Sequence, residues 1–303
     1  MNRRVAEQLP TVVKHRRWRL AIDLHLRPYQ GQPHHSPEDI YRSQATGGTT
    51  HFHASATAYL VKRGRRYTVA RLRVEKGMAL VEGLKRLLQY ARQAGIRPSL
   101  LRLDRGFYRV AVIRYLQAAR HPFLMPVISR GRPPTAPRGP SGTRVFTAPK
   151  RSGWARYPLT NAAHRRATVS LCIHCRNWCG RRHRHGRQTL GYAIWGFRPP
   201  TTHWVYQGYR TRVGIETRYR QLREASIRTS TRNPTLRFLC VGIALVLRNV
   251  WVWLHGVGLA TPRRGGRRLN LHTLRFKTLL TWLTPLAEEV FGINDSVVVE
   301  RVL

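Results

Sequence analysis

Two aspartates stand among apolar residues in a chain that has few acids. Asp23 lies inside the run RWRLAIDLHLR, residues 17–27, and Asp104 directly follows the apolar run 99–103. A carboxylate in such surroundings needs a partner, because desolvating an unpaired charge is costly. Two interpretations are open: the two acids share a divalent metal ion, which prefers oxygen ligands, or each forms a structural ion pair with an arginine.

A third segment carries polar residues at helical spacing. Arg212, Glu216 and Arg223 stand 3, 7 and 14 residues after Tyr209. At about 100° per residue, all four side chains fall on one face of a helix. The segment therefore predicts a helical face that presents a phenol, a carboxylate and two cations.

The elements around the first two acids follow from the periodicity of apolar residues. Seven are predicted, in the order strand, strand, strand, helix, strand, helix, strand: residues 17–27, 51–62, 66–74, 78–94, 99–103, 110–120 and 121–128. This order is that of the ribonuclease H-like fold, whose first and fourth strands are neighbours. We therefore expect an α/β protein in which a mixed sheet flanked by helices brings Asp23 and Asp104 together.

The composition and the apolar periodicity of the chain change twice after these elements. Residues 1–130 are predicted to form the first part of the core, and 131–205, which begin with clusters of Pro and Gly, a β-rich insertion between the second and third acids. Helical texture returns at 207, so residues 206–303 are expected to complete the core and add C-terminal helices. The run 238–247 is too short for a bilayer, which favours a buried helix and no membrane segment.

The charge of the chain indicates its kind of partner. Lys and Arg number 55 against 13 Asp and Glu among 303 residues, a formal net charge of +42. Such an excess predicts a polyanionic partner, and nucleic acid fits best. A bias towards Arg codons explains the choice of Arg over Lys, but it does not explain the shortage of acids.

Four blocks of this sequence together resemble one family. The segment from Tyr209 to Arg223 looks like the Tyr-x2-Arg-x3-Glu-x6-Lys signature of the insertion-sequence-four-like branch of DDE transposases, with Arg223 where Lys is usual. LAIDLHLRPYQG and LLRLDRGFY resemble the regions of the first and second acids, and FLCVGIALVLRNVW resembles the helix after the signature. The resemblance spans roughly residues 17–255.

The resemblance implies an enzyme that cuts and joins DNA by metal-dependent hydrolysis and transesterification. It assigns Asp23, Asp104 and Glu216 as the catalytic ligands of Mg²⁺, with Mn²⁺ as an alternative. It further implies contacts with double-stranded DNA from a second group of residues: Tyr209, Arg212, Arg223 and Arg105. A homodimer in the DNA complex is expected, because two element ends must be brought together. Few cysteines and a charged start predict a cytoplasmic, nucleoid-associated protein.

Two other functions stay open from the sequence. Asp23 lies close to residue 1, where we expect no room for an end-recognition domain, so a truncated or decayed relative that only binds DNA is one alternative. The three spaced acids in an otherwise acid-poor chain favour the active transposase over it. A different ribonuclease H-like nuclease, such as a junction resolvase, is the third class, and the helix signature argues against it.

A cluster of cysteines and histidines admits two interpretations. It comprises Cys172, His174, Cys175, Cys179, His183 and His185. Part of it has the spacing of half a zinc site, whereas strand alternation places Cys172 and His174 on one face and Cys175 on the other. The alternation favours a basic loop between two strands over a zinc site.

Overall fold

A computed structural model describes residues 2–62, 66–128, 151–179, 185–213, 222, 224–227, 229–270 and 272–292. Its strands are β1 Arg17–Pro28, β2 Tyr41–Thr46, β3 Thr49–Leu60, β4 Thr68–Val74, β5 Arg97–Leu103, β6 Phe123–Pro126, β7 Gly153–Thr160, β8 Arg166–Cys179, β9 His185–Trp195, β10 Thr261–Arg263 and β11 Gly266–Arg268. Its helices are α1 Asn2–Glu7, α2 Leu80–Gln93, α3 Val110–Ala118, α4 Thr202–Arg210, α5 Pro234–Val257 and α6 Phe276–Phe291.

A mixed sheet forms the centre of the described chain. Its order is β2-β3-β1-β5-β6-β9-β8-β7, and β4 pairs with β3 on the same side as β2. The pairs β1–β5 and β5–β6 are parallel, whereas β3 is antiparallel to β1 and β9 is antiparallel to β6. The protein is therefore a mixed α/β structure, with β7, β8 and β9 continuing the sheet that carries β1 and β5.

The elements predicted before residue 128 are confirmed within a few residues, with two additions, the short helix α1 and strand β2. Strand β2, Tyr41–Thr46, was not predicted, because its sequence YRSQAT is polar and its side chains are mostly exposed. It lies at the sheet edge, where a strand needs few apolar residues. Because of β2, the strand that precedes Asp104 is the fifth along the chain and not the fourth.

Side chains on β1 alternate between the two faces of the sheet, and different helices cover each face. Leu20 and Ile22 are fully buried on one face, and the apolar stripe of α2 packs there with Leu84 and Leu87. Each such buried leucine contributes about 2 kcal/mol. Helix α4 covers the other face around β5, β6, β8 and β9 through Val205 and Tyr206. Asp23 projects from this second face of β1, since it alternates with Ile22.

Helix α5 is long and apolar enough, by length and composition alone, to cross a membrane. Its polar residues nevertheless dock it on the sheet. Asn249 accepts a hydrogen bond from the Thr68 amide at 2.8 Å and donates one to the Thr68 carbonyl at 2.9 Å. Arg248 donates to the Arg66 carbonyl at 2.9 Å. These contacts pack one side of the helix on the sheet.

The Asn249 contacts lead to a stability prediction. Asn249 is 1% exposed, so its replacement by Ala leaves two backbone groups of buried β4 without their partner. We expect Asn249→Ala to lower the free energy of unfolding by about 2 kcal/mol, measured by urea denaturation followed by circular dichroism. Leu239→Ala, at a site 43% exposed on the same helix, is the control. Equal losses for the two variants would contradict a docking role for Asn249.

Candidate active site

Asp23 and Asp104 lie beside each other on neighbouring strands. The parallel register of β1 and β5 pairs Ile22 with Leu103, so each acid is the next residue after a paired position. Asp23 is buried, whereas 41% of the Asp104 side chain is exposed. The two carboxylates therefore meet at the carboxyl end of β5, one inside the protein and one at its surface.

Arg212 bridges these two acids. Its Nη1 lies 3.2 Å from Oδ1 of Asp104, and its Nη2 is hydrogen-bonded to Oδ1 of Asp23. Only 12% of the Arg212 side chain is exposed. One guanidinium fork thus holds two carboxylates that are 81 positions apart in the sequence.

Electrostatics keep this guanidinium charged. Burial by itself lowers the pKa of Arg212, but nearby Tyr209, Asp23 and Asp104 outweigh burial and raise that pKa above its ordinary value. Arg212 therefore remains a cation at any physiological pH. It supplies the positive charge that the buried Asp23 carboxylate requires.

Tyr209, in the last turn of α4, positions Arg212. Its hydroxyl donates to the Leu103 carbonyl at 3.4 Å and accepts from Nη1 of Arg212 at 3.0 Å. Its ring packs against Tyr192 with centroids 5.4 Å apart. Burial raises the pKa of Tyr209 to about 12, so the phenol is protonated at neutral pH and can donate one hydrogen bond while it accepts another.

Two further residues hold the turn that carries Arg212, and the sequence did not single them out. Arg102 is buried and donates a hydrogen bond to Oγ1 of Thr211. The hydroxyl of Tyr59 donates to the carbonyl of Arg212 at 3.5 Å. Arg102 precedes Asp104 by two residues and so shares its strand face, which is a signal that sequence reading could have used.

The predicted helix through Tyr209 and Arg223 is wrong in one respect. The α-helix ends at Arg210 and gives way to a 3-10 turn at Thr211–Val213. At this point the Thr211 hydroxyl donates a hydrogen bond back to the Gly208 carbonyl at 2.9 Å. The tighter turn keeps Tyr209 and Arg212 adjacent.

The other predicted site residues divide into two groups. Arg105 is exposed on the short turn that follows Asp104. Glu216 and Arg223 lie outside the described residues. The structure thus brings Asp23, Asp104, Tyr209 and Arg212 together.

The donor set of the two acids fits a hard divalent cation. Asp23 and Asp104 offer carboxylate oxygens, the ligands that Mg²⁺ prefers. Arg212 stands in for such a cation in this structure, because its guanidinium contacts both carboxylates at once. Within the described ranges, no group of three or more His, Cys, Asp and Glu side chains is placed to hold a metal ion.

The cysteine and histidine cluster is divided by β8, as its alternation predicts. Cys172 is buried against α4, and the His174 ring stacks on Tyr206 with centroids 4.7 Å apart. Cys175 lies on the opposite face, and its amide donates a hydrogen bond to Oγ of Ser152 at 2.9 Å. Burial raises the pKa of Cys172 to about 12, which disfavours the thiolate that zinc binding requires. The loop at 180–184 and the side chains of Cys179 and His185 lie outside the described residues.

Compared with known proteins, the chain matches no family model and no curated protein. The function is therefore inferred from the cluster of two carboxylates, a guanidinium and a phenol.

Proposed function

We propose that this protein is a DDE transposase with a ribonuclease H-like core, which cuts and joins DNA by metal-dependent hydrolysis and transesterification. One observation carries the proposal. Asp23 and Asp104, far apart in the chain, lie on adjacent parallel strands and are joined by Arg212. Arg212 belongs to the same segment whose spacing resembles the family signature.

The topology supports the ribonuclease H-like assignment. Reading the strands across from β4 gives β4-β3-β1-β5-β6, with β3 antiparallel to β1 and with β1, β5 and β6 parallel. The first strand and the strand after α2 are neighbours, as that fold requires. Strand β2 and β7 to β9 add to this arrangement without separating the two acids.

The charge supports double-stranded DNA as substrate and partner. A net charge of +42 supplies the phosphate contacts that dominate affinity for DNA. Arg105 is exposed and follows Asp104, which supports the proposal that its guanidinium contacts a phosphate close to the cleaved bond. We propose that Arg223 does the same, and that a homodimer in the cytoplasm, associated with the nucleoid, brings two DNA ends together.

The proposed chemistry assigns a role to each side chain. Asp23, Asp104 and Glu216 would hold Mg²⁺ or Mn²⁺, which when bound activates the attacking water or 3′ hydroxyl and stabilises the leaving oxygen. The fork of Arg212, once released from the acids, can grip the phosphate beside the cleaved bond. Tyr209 orients that fork, and Arg102 fixes the turn that carries it.

A second function is favoured by the same ion pairs. A guanidinium that bridges two carboxylates is also the arrangement of a structural salt bridge in a protein that binds DNA without cutting it. In that case the acids stabilise the fold and hold no metal. The two functions differ in whether the protein breaks phosphodiester bonds.

A cleavage assay separates the two functions. Purified protein is incubated with supercoiled plasmid that carries the inverted repeats flanking its gene, in Mg²⁺, in Mn²⁺ and in EDTA. A transposase produces nicked and linear DNA with either metal and none in EDTA. Plasmid that is bound in a gel-shift assay but stays supercoiled in both metals would establish the non-cutting function instead.

A further inference from the structure

A basic cleft lies at the opposite end of the sheet from the acids. The cavity has a volume of about 1100 Å³ and lies where β1 and β5 begin. Arg17 and Arg97, the first residues of these strands, are among the residues that line it. Six residues separate Arg17 from Asp23, so the cleft is roughly 20 Å from the carboxylates. It is a separate feature from the candidate active site.

Cations dominate the lining of this cleft. They come from α1, β1, β5, the ends of α2 and α3, and the loop before β1: Arg3, Lys14, Arg17, Arg92, Arg97 and Arg120. The acid among the lining residues is Glu7, whose carboxylate pairs with Arg3 at 3.0 Å and Arg4 at 3.4 Å. A concave surface with one sign of charge focuses the potential and concentrates anions.

One of these cations lies on a strained part of the backbone at the rim of the cleft. Helices α2 and α3 end in the same motif, in which Ile96 N–H reaches the Ala91 carbonyl and His121 N–H reaches the Leu116 carbonyl. The left-handed residue just before Ile96 is Gly95, with φ 76°. Its counterpart before His121 is Arg120, with φ 52°.

Glycine adopts this conformation without steric cost, whereas a residue with Cβ does not. His15, which also lines the cleft, has φ 60° and donates its amide to the Gly95 carbonyl at 2.7 Å. Backbone strain of this kind is found mainly at functional sites, where the role of the side chain offsets the conformational cost. Arg120 is thus held where stability alone favours glycine.

A buried histidine orients a second cation of the cleft. Arg92 donates a hydrogen bond to Nε2 of His121 at 3.3 Å, which requires a neutral acceptor ring. Burial, aided by the Arg92 charge, lowers the pKa of His121 and so keeps the ring neutral. One nitrogen of the exposed Arg92 guanidinium is therefore bonded to His121, the residue that follows Arg120.

We infer that this cleft is a second nucleic-acid contact site, which binds phosphate groups of a DNA backbone through Arg92, Arg97 and Arg120. Convergent guanidinium groups in a concave site suit phosphate oxygens, because each fork can donate two hydrogen bonds. The inference holds whether or not the protein cuts DNA. In a transposase, the cleft would hold DNA distant from the cleaved bond.

A pair of double variants with equal net charge tests the inference. Arg92→Gln/Arg120→Gly removes two cleft cations, and Arg86→Gln/Arg114→Gln removes two exposed cations of the same two helices outside the cleft. Binding of a fluorescent 20-base-pair duplex is followed by anisotropy at several salt concentrations. We expect the cleft variant to bind at least fivefold more weakly than the control and its salt slope to fall by about 1 to 2.

A stability measurement separates lost contacts from lost folding. The single variant Arg120→Gly removes strain, so its melting temperature should equal or exceed that of the wild type while its affinity for the duplex falls. Equal duplex affinity and equal salt slope for the two double variants would overturn the inference. Displacement of the duplex from the wild type by equimolar pyrophosphate would also overturn it, because the cleft would then serve a small phosphate ligand.

Discussion

Replacing Asp104 with Asn is expected to lower the rate of DNA cleavage by at least about a thousandfold, which corresponds to roughly 4 kcal/mol of transition-state stabilisation. The reason is charge. Asn keeps the shape of the side chain but removes half of the negative charge of the described acid pair, and a divalent cation then binds weakly. Asp23→Asn and Glu216→Gln should show losses of the same size, because the three acids act as one unit.

The measurement is single-turnover cleavage of the plasmid in Mg²⁺ at equal protein concentration. Glu82→Gln is the matched control, since Glu82 is an exposed acid on α2 that pairs with Arg86 at 2.8 Å and takes no part in the site. Gel-shift affinity for DNA should stay within about twofold of the wild type in every variant, because phosphate contacts are unchanged. Undiminished cleavage by Asp104→Asn would remove the catalytic assignment.

Replacing Arg212 with Gln is expected to destabilise the metal-free protein by about 3 kcal/mol and to make its stability depend on Mg²⁺. Arg212 is the cation that compensates Asp23 and Asp104, and removing one partner of a buried ion pair leaves an uncompensated charge. The loss is smaller than for a fully enclosed pair because Asp104 is 41% exposed. A divalent cation can then take the place of the guanidinium, and binding to the folded state restores stability.

Thermal denaturation with and without millimolar Mg²⁺ measures this effect. The melting temperature of Arg212→Gln should rise more on adding Mg²⁺ than that of the wild type, in which Arg212 competes for the same oxygens. Arg73→Gln serves as control, since Arg73 pairs with Asp39 at 3.0 Å on a different part of the sheet. The same Mg²⁺ response in the wild type and in both variants would show that the acids serve as a structural ion pair.

These two variants answer different questions about one cluster. The aspartate variants ask whether the carboxylates support bond breaking, and the Arg212 variant asks whether they bind a divalent cation. Loss of cleavage together with an Mg²⁺ response fits a transposase in which Arg212 occupies the acids until metal and DNA arrive. A wild type that does not cleave the plasmid, together with an unchanged Mg²⁺ response in the Arg212 variant, leaves DNA binding without cutting as the function.

The sequence by itself determined the secondary structure around Asp23 and Asp104. Apolar alternation and helical periodicity are local signals, so β1, α2 and β5 could be located from the identity of neighbouring residues. The same signals indicated that the two acids follow buried positions. Strand β2 escaped prediction because an exposed edge strand carries no apolar pattern.

The position of Arg212 was decided only by the tertiary structure. It contacts Asp23 across 189 positions and Asp104 across 108, and no local pattern specifies such contacts. They arise because α4 packs on the face of the sheet that carries Asp23, and because Arg102 fixes the turn after α4. The resemblance to the family assigned Arg212 to DNA contacts, whereas in this structure its guanidinium pairs with the two acids.

The basic cleft was likewise invisible in the sequence. Its cations come from six separate segments of the chain, and only the packing of these segments around the start of β1 and β5 brings them to one end of the sheet. In a chain with 55 Lys and Arg, position in sequence does not separate a cleft arginine from any other. Residue types and periodicity fix which elements form, but the convergence of charges depends on how these elements pack, because electrostatic contacts act through space.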